Sequence, residues 1–175
     1  MIEPIGLVQN SHNHWVSVGK HKSMVIDLSE VPITQGTGYP ADFRAAVAGR
    51  SRQRVGNAAG LTNFGVNLTT LAPGAQSALR HWHQGQDEFI YVISGELILV
   101  TDAGETSLTP GMMAGFAAGV ANGHHLINRS TQDAVYLEVG DRTWEERVEY
   151  PDDDLLALAK PEGGYYFAHR NGQPY

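Results

Sequence analysis

The sequence predicts an all-β domain, closed as a sandwich or barrel, and three observations carry that expectation. Apolar and polar residues alternate in short runs from residue 64 onward, turn residues separate those runs at regular spacing, and no helical period interrupts residues 64–140. Short strands punctuated in this way stack as two sheets or close on themselves. A doubly wound α/β fold would need helices between the strands.

Residues 1–23 hold His12, His14 and His21 in a polar context and read as an exposed amino-terminal arm. Residues 24–175 read as one domain whose motif-bearing core is 64–140. Within it, Met24 to Val31 suggests an edge strand or arm, stopped by Pro32. Asp42 caps a short helix through Val47, which Gly49 ends. The run Arg50, Arg52, Arg54 reads as a solvated loop.

From Phe64 the period of two begins: Phe64, Val66 and Leu68 alternate with Gly65, Asn67 and Thr69. Pro73-Gly74 turns the chain, and Leu79, His81 and His83 alternate again. Strands follow at Glu88–Ile93, Leu97–Val100, Thr106–Leu108, His124–Asn128 and Ala134–Val139. Gly95, Asp102-Ala-Gly104 and Pro110-Gly111 provide the turns. Beyond Tyr150, Pro151 to Ala159 suggests a second short helix capped by Asp152, and the aromatic tail Tyr165-Tyr166-Phe167 returns as a strand or packs over the barrel.

Composition narrows the function. With 42% apolar and 18% charged residues the chain is neither disordered nor membrane-spanning, since apolar runs break far short of the ~20 residues a span requires. A net charge of −7 without a basic cluster argues against nucleic-acid binding. The absence of cysteine removes disulfides and thiolate zinc sites, and the start Met1-Ile2-Glu3-Pro4 lacks a secretory pattern, so a cytoplasmic protein is expected. No Gly-x-Ser-x-Gly elbow, P-loop or Gly-x-Gly-x-x-Gly occurs.

The histidines carry the chemistry. His81 and His83, two apart on a strand, point to one face with Cα atoms about 6.6 Å apart, close enough for two imidazoles to share an ion. Glu88 follows five residues after His83, and a hairpin through Gln84-Gly85-Gln86 would return its carboxylate to them. His124 or His125 offers a third imidazole. Such a donor set suits Zn, Fe, Mn, Ni or Cu and is too rich in nitrogen for Mg or Ca.

These spacings resemble the cupin superfamily. Its first motif is similar to Gly74, six residues, His81-Trp82-His83, four residues, Glu88, six residues, Gly95; the first gap is one residue longer than is common there. Its second is similar to Ala117-Ala118-Gly119, four residues, His124, three residues, Asn128, with the usual proline replaced and a longer gap. The His-x-x-x-Asn spacing selects His124 over His125, and His124, Leu126 and Asn128 share one face. The resemblance covers 64–140, and the wording Arg80-His-Trp-His, Asp87-Glu88-Phe-Ile-Tyr and Gly123-His-His-Leu-Ile-Asn further resembles small bacterial single-domain cupins of unsettled activity.

The resemblance implies a double-stranded β-helix, or jelly-roll barrel, with an amino-terminal arm, one or two short helices, and a divalent transition metal held by His81, His83, Glu88 and His124. It implies a homodimer and a small polar metabolite as substrate, with dioxygenase, isomerase or lyase chemistry in which Glu88 is a ligand or a base. The alternative is a non-catalytic cupin that holds a sugar or carboxylic acid. By parity Trp82, Arg80 and Asp87 point away from the site, Phe89 and Tyr91 are core, Met112 and Met113 are packing, and His169 is exposed.

Overall fold

The structure, a computed structural model, describes residues 7–9, 15–17, 24–143 and 145–175. Most of the arm, with His12, His14 and His21, lies outside the described residues. The strands in chain order are β1 (Leu7–Gln9), β2 (Trp15–Ser17), β3 (Ile33–Gln35), β4 (Arg50–Gln53), β5 (Phe64–Leu71), β6 (Trp82–His83), β7 (Glu88–Ser94) and β8 (Leu97–Thr101). They continue as β9 (Gly104–Leu108), β10 (Met113–Phe116), β11 (His125–Ile127), β12 (Ala134–Asp141), β13 (Arg147–Tyr150), β14 (Leu155–Ala159) and β15 (Tyr165–Ala168), and α1 spans Val55–Ala59.

Two antiparallel layers face each other. One is the six-stranded sheet β10-β7-β12-β5-β4-β3. The other joins β11-β8-β9 to β15-β14-β13-β6 through backbone bonds from Ser77 N to Leu126 O (2.8 Å), His81 N to His124 O (3.1 Å) and His124 N to His81 O (2.8 Å). Leu71, Ile90, Val92, Ala134 and Tyr136 of the first layer pack against Leu97, Leu108 and Leu126 of the second. A second cluster of Tyr39, Val47, Leu79, Val148, Tyr150, Leu155 and Ala157 fills the other end. The result is an all-β jelly roll. Among the described residues no helix is long and apolar enough to cross a membrane.

Several local expectations are corrected. Met24–Val31 forms no strand: Leu28–Glu30 is a single 3₁₀ turn whose start Asp27 caps by accepting from Ser29 N at 2.9 Å. The helix near Asp42 is 3₁₀, spans Ala41–Val47, and has Pro40 rather than Asp42 at its cap position. Arg50 and Arg52 lie on strand β4, with Arg50 buried, rather than in a solvated loop, whereas Arg54 follows the strand and is exposed. Residues 151–154 form a turn and Leu155–Ala159 is a strand with Leu155, Leu156 and Ala157 buried, so no helix forms there. Phe89, Met112 and Met113 are 41%, 43% and 58% exposed, which makes them surface rather than core or packing. The tail returns as β15, paired with β14.

Gly95 shows why a glycine closes the first motif. Its φ is +76°, and an added Cβ would lie 2.7 Å from both Asp133 O and Ala134 Cα.

Candidate metal and substrate site

The site is built where the two layers meet. The backbone bridge between His81 and His124 sets those imidazoles side by side, with ring centroids 4.9 Å apart. His83, two residues on, pairs with Val148 of β13 and keeps its ring 5.0 Å from that of His81. The expected hairpin does not form: β6 pairs with β13, whereas β7 pairs with β10 and β12. Residues 84–87 instead cross from one layer to the other. Glu88 therefore meets the imidazoles across the barrel, which a ladder neighbour could not do as directly.

Glu88 Oε2 lies 3.9 Å from His81 Nε2, 3.6 Å from His83 Nε2 and 3.4 Å from His124 Nε2. His81, Glu88 and His124 each bring one donor atom within 4.8 Å of the others. His125 turns its Nδ1 to Ala78 O at 3.2 Å, away from this cluster. Phe116 stacks on His124 with centroids 3.6 Å apart, and Tyr150 stacks on His81 at 5.8 Å, so aromatic faces restrict how far either ring can turn.

The opposite nitrogens test whether this set fits a cation. His81 Nδ1 lies 2.8 Å from Leu79 O, His124 Nδ1 3.4 Å from Asn122 O, and His83 Nδ1 3.4 Å from Glu146 Oε1. Acceptors facing Nδ1 of His81 and His124 favour the proton there and leave their Nε2 atoms toward Glu88, the arrangement of metal-binding histidines. His83 lies beside that group, with its Nε2 3.6 Å from the same carboxylate and its Nδ1 without a hydrogen-bond partner. The residues present fit a divalent transition metal.

Electrostatics agree with a tightly coupled cluster. Burial pushes the His81 imidazole down to about 3 even though Glu88 opposes the shift. Burial acts the same way on His83, but bonding to Glu146 and Glu88 outweighs it and lifts that imidazole to about 9. Glu88 is held below the usual carboxylate range: burial would raise it, and the bonds from His124 and His83 prevail. Glu146 was not recognised in the sequence. Its side chain is fully buried and accepts from Gln84 N (3.1 Å) and Gly85 N (3.0 Å), fixing the crossing segment.

A second polar group shares the barrel interior. Glu138 Oε1 accepts from Asn67 Nδ2 at 3.0 Å, and its Oε2 lies 3.4 Å from both Arg52 Nη2 and the Tyr136 hydroxyl. On β12 Glu138 stands opposite Ile90, and Gly140 opposite Glu88, so the two carboxylates face the same side of the sheet as diagonal neighbours roughly 7–8 Å apart at Cα. The sequence held one signal for this residue: a lone charge in an apolar strand, in phase with Tyr136. The outward residues behave otherwise. Arg80 binds Asp102 and Asp152, Asp87 accepts from Ala118 N at 2.7 Å, and His169 bonds Asp154 at 2.8 Å.

A two-layer antiparallel barrel with clustered imidazoles and a carboxylate at its centre defines a class, and comparison with known proteins gives it a family. The family profile described as Cupin domain matches residues 67–140. A sugar phosphate isomerase of the cupin superfamily from Silicibacter pomeroyi is 44% identical, with 86% of this chain and 96% of that chain covered and a TM-score of 0.83. A putative sugar phosphate isomerase from Acidithiobacillus ferrooxidans is 27% identical over 72% of this chain and 80% of that chain, with a TM-score of 0.65. A polyketide cyclase from Streptomyces resistomycificus shares the fold at 18% identity, a TM-score of 0.54, and coverage of 67% and 78%. No curated protein matches. The chain belongs to the cupin superfamily.

Proposed function

We propose that this cupin is a metal-dependent enzyme that isomerises a small phosphorylated sugar, with His81, His83, His124 and Glu88 as the metal ligands. The observation that carries the reading is the convergence of three Nε2 atoms within 3.4–3.9 Å of one Glu88 oxygen, with Glu138 on the same inner face. The name of the 44% identical relative supports the substrate class and the reaction. A bound transition metal would supply Lewis acidity to a carbonyl or hydroxyl oxygen of the sugar.

The chain's own residues supply the rest. Glu138 is the carboxylate that accepts a proton from one sugar carbon and returns it to the next, held in place by Asn67, Arg52 and Tyr136. Burial, and then the Glu138 charge, push the Tyr136 phenol up, so it stays protonated as a donor to that carboxylate. Phe116 and Tyr150 close the walls behind the imidazoles and limit water. We place the protein in the cytoplasm, an assignment supported by the absence of cysteine.

The test is elemental analysis of the untagged protein beside a His81→Ala/His83→Ala variant, followed by a turnover screen on aldose and ketose phosphates read by NMR. Near-stoichiometric metal in the wild type, little in the variant, and interconversion that Glu138→Gln slows by about 10²–10⁴-fold are expected. Wild-type protein that takes up no metal after reconstitution sinks the metal assignment. Metal without turnover, accompanied by sugar binding, would make the chain a binding protein.

A further inference from the structure

We infer that Arg50 and Arg52 on β4, with Arg54 just beyond it, form a subsite for a phosphate group at the edge of the barrel interior. It deepens the proposed reading by naming what would hold the phosphorylated end of the sugar, yet the anion site stands on observations independent of the metal cluster.

Arg50 and Arg52 are two apart on β4 and project to one side, and Arg54 follows at the strand's exit. With Thr34, Gly36 and Thr37 they line a pocket of about 150 Å³. That is small beside the roughly 300–1,000 Å³ of pockets for whole drug-sized ligands, and suits an oxyanion headgroup. The charge count is uncompensated. Among the described residues Arg52 pairs with Glu138 at 3.4 Å, while Arg50 and Arg54 pair with no carboxylate. Three positive charges against one negative leave two, which matches a phosphate dianion, in a chain whose overall charge is −7.

One orphaned polar atom of a lining residue points to a ligand, and a second lies on the strand beside it. Arg52 Nε and Thr69 Oγ1 are buried without a hydrogen-bond partner, and Thr69 is 0% exposed. They are neighbours: Arg52 stands opposite Thr69 across β4 and β5, and Thr69 stands opposite Tyr136 across β5 and β12. Native proteins rarely leave such groups unsatisfied without a functional reason. A guanidinium with only one of its donor atoms engaged keeps its forked edge for a planar or tetrahedral oxyanion.

The remaining side chains fix the strand and orient the charge. Arg50 is 5% exposed, donates to Ser77 O and, at 3.4 Å, to Gly36 O, and so anchors the wall of the pocket. Burial and the charge of Arg52 push its guanidinium down from the ordinary arginine value, a repulsion that a bound anion relieves. Arg54 is exposed at the rim, placed to meet an incoming anion. Arg52 bonds Glu138, so the pocket adjoins the proposed base: a phosphate held here leaves the sugar carbons lying toward Glu138 and the imidazoles.

The experiment uses the full-length protein and inorganic phosphate, titrated at constant ionic strength with chloride, and reads thermal stabilisation and calorimetric affinity. Wild-type protein should gain stability, and so should His81→Ala/His83→Ala, because the anion site does not need the metal cluster. Arg52→Gln and Arg54→Gln should each weaken phosphate about tenfold, the loss of one charge-assisted bond. Arg54 is exposed, so that variant keeps its fold even if Arg52→Gln does not. No stabilisation of wild type by phosphate, or equal stabilisation of wild type and Arg54→Gln with Arg52→Gln unchanged as well, would overturn the inference. Phosphate bound by wild type and the double-histidine variant but no turnover would leave the anion site standing and the isomerase reading fallen.

Discussion

A histidine becomes a directed donor when its other nitrogen is held, and Glu146 is the carboxylate placed beside that nitrogen of His83. Its carboxylate lies 3.4 Å from His83 Nδ1 without good alignment, while also accepting from Gln84 and Gly85 N–H groups. Glu146→Gln should therefore keep the fold, which two backbone bonds to one amide oxygen can still serve in part, yet lower metal affinity by about ten- to a hundredfold. A chelator competition against wild type measures this, and an unchanged affinity would remove Glu146 from the site. At this scale period two put His81 and His83 on one face, and the cupin spacing pointed to Glu88 and His124. The hairpin expected to return Glu88 does not form, because residues 84–87 cross between the layers instead. Glu146 was not legible. It sits in a loop 58 residues from Glu88, beside a second glutamate, with no periodicity to distinguish the buried carboxylate from the exposed one.

Between elements, long-range side-chain ties lock turns that backbone ladders leave free. Arg80 reaches Asp102 in the turn between β8 and β9 and chelates Asp152 through Nε (2.7 Å) and Nη2 (2.6 Å) in the turn before β14. The Arg80 bonds hold Asp152 below its ordinary value of 3.8. A depressed carboxylate contributes stability that is present above about pH 4 and is lost as pH falls through the folded value. Arg80→Gln should lower stability at pH 7 by about 1 kcal/mol, a fall of roughly 2–4 °C in Tm, given how exposed Asp152 is. The gap between variant and wild type should close as pH falls below about 4, and a gap independent of pH would mean the loss is one of packing. The same scale shows where sequence reasoning ran out. Alternation in β5 was clear, but not which face was inside: Asn67, Thr69 and Leu71 line the barrel, whereas Val66 and Leu68 face out, and α1 approaches Val66. Polar residues inside a barrel mark a binding surface, which inverts the usual inference from hydrophobicity. Leu155–Ala159 misled for the opposite reason, since five consecutive apolar residues, the first three of them buried, carry no period to separate strand from helix.

For the whole molecule, the outward face of the six-stranded sheet explains what the interior does not. Phe89 (41% exposed), Ile93 (44%) and Met113 (58%) cluster where β7 meets β10, with Met113 opposite Tyr91 and Gly115 opposite Phe89. In the order of that sheet β10 is the terminal strand, so an apolar patch adjoins an edge whose backbone groups are available for pairing. A second copy of the chain is the occupant these features favour, because a two-fold contact lets the same patch cover itself and the same edge meet its equivalent. The face continues over half-buried Val135, Leu137 and Val139 of β12. Light scattering should then give a mass near twice the 19.0 kDa of one chain, and Phe89→Asp/Met113→Asp should reduce it to one. Neither residue faces the barrel interior, so phosphate and metal binding should survive in the variant. A wild-type mass of one chain would discard the dimer. A variant that stayed dimeric would move the contact away from this face.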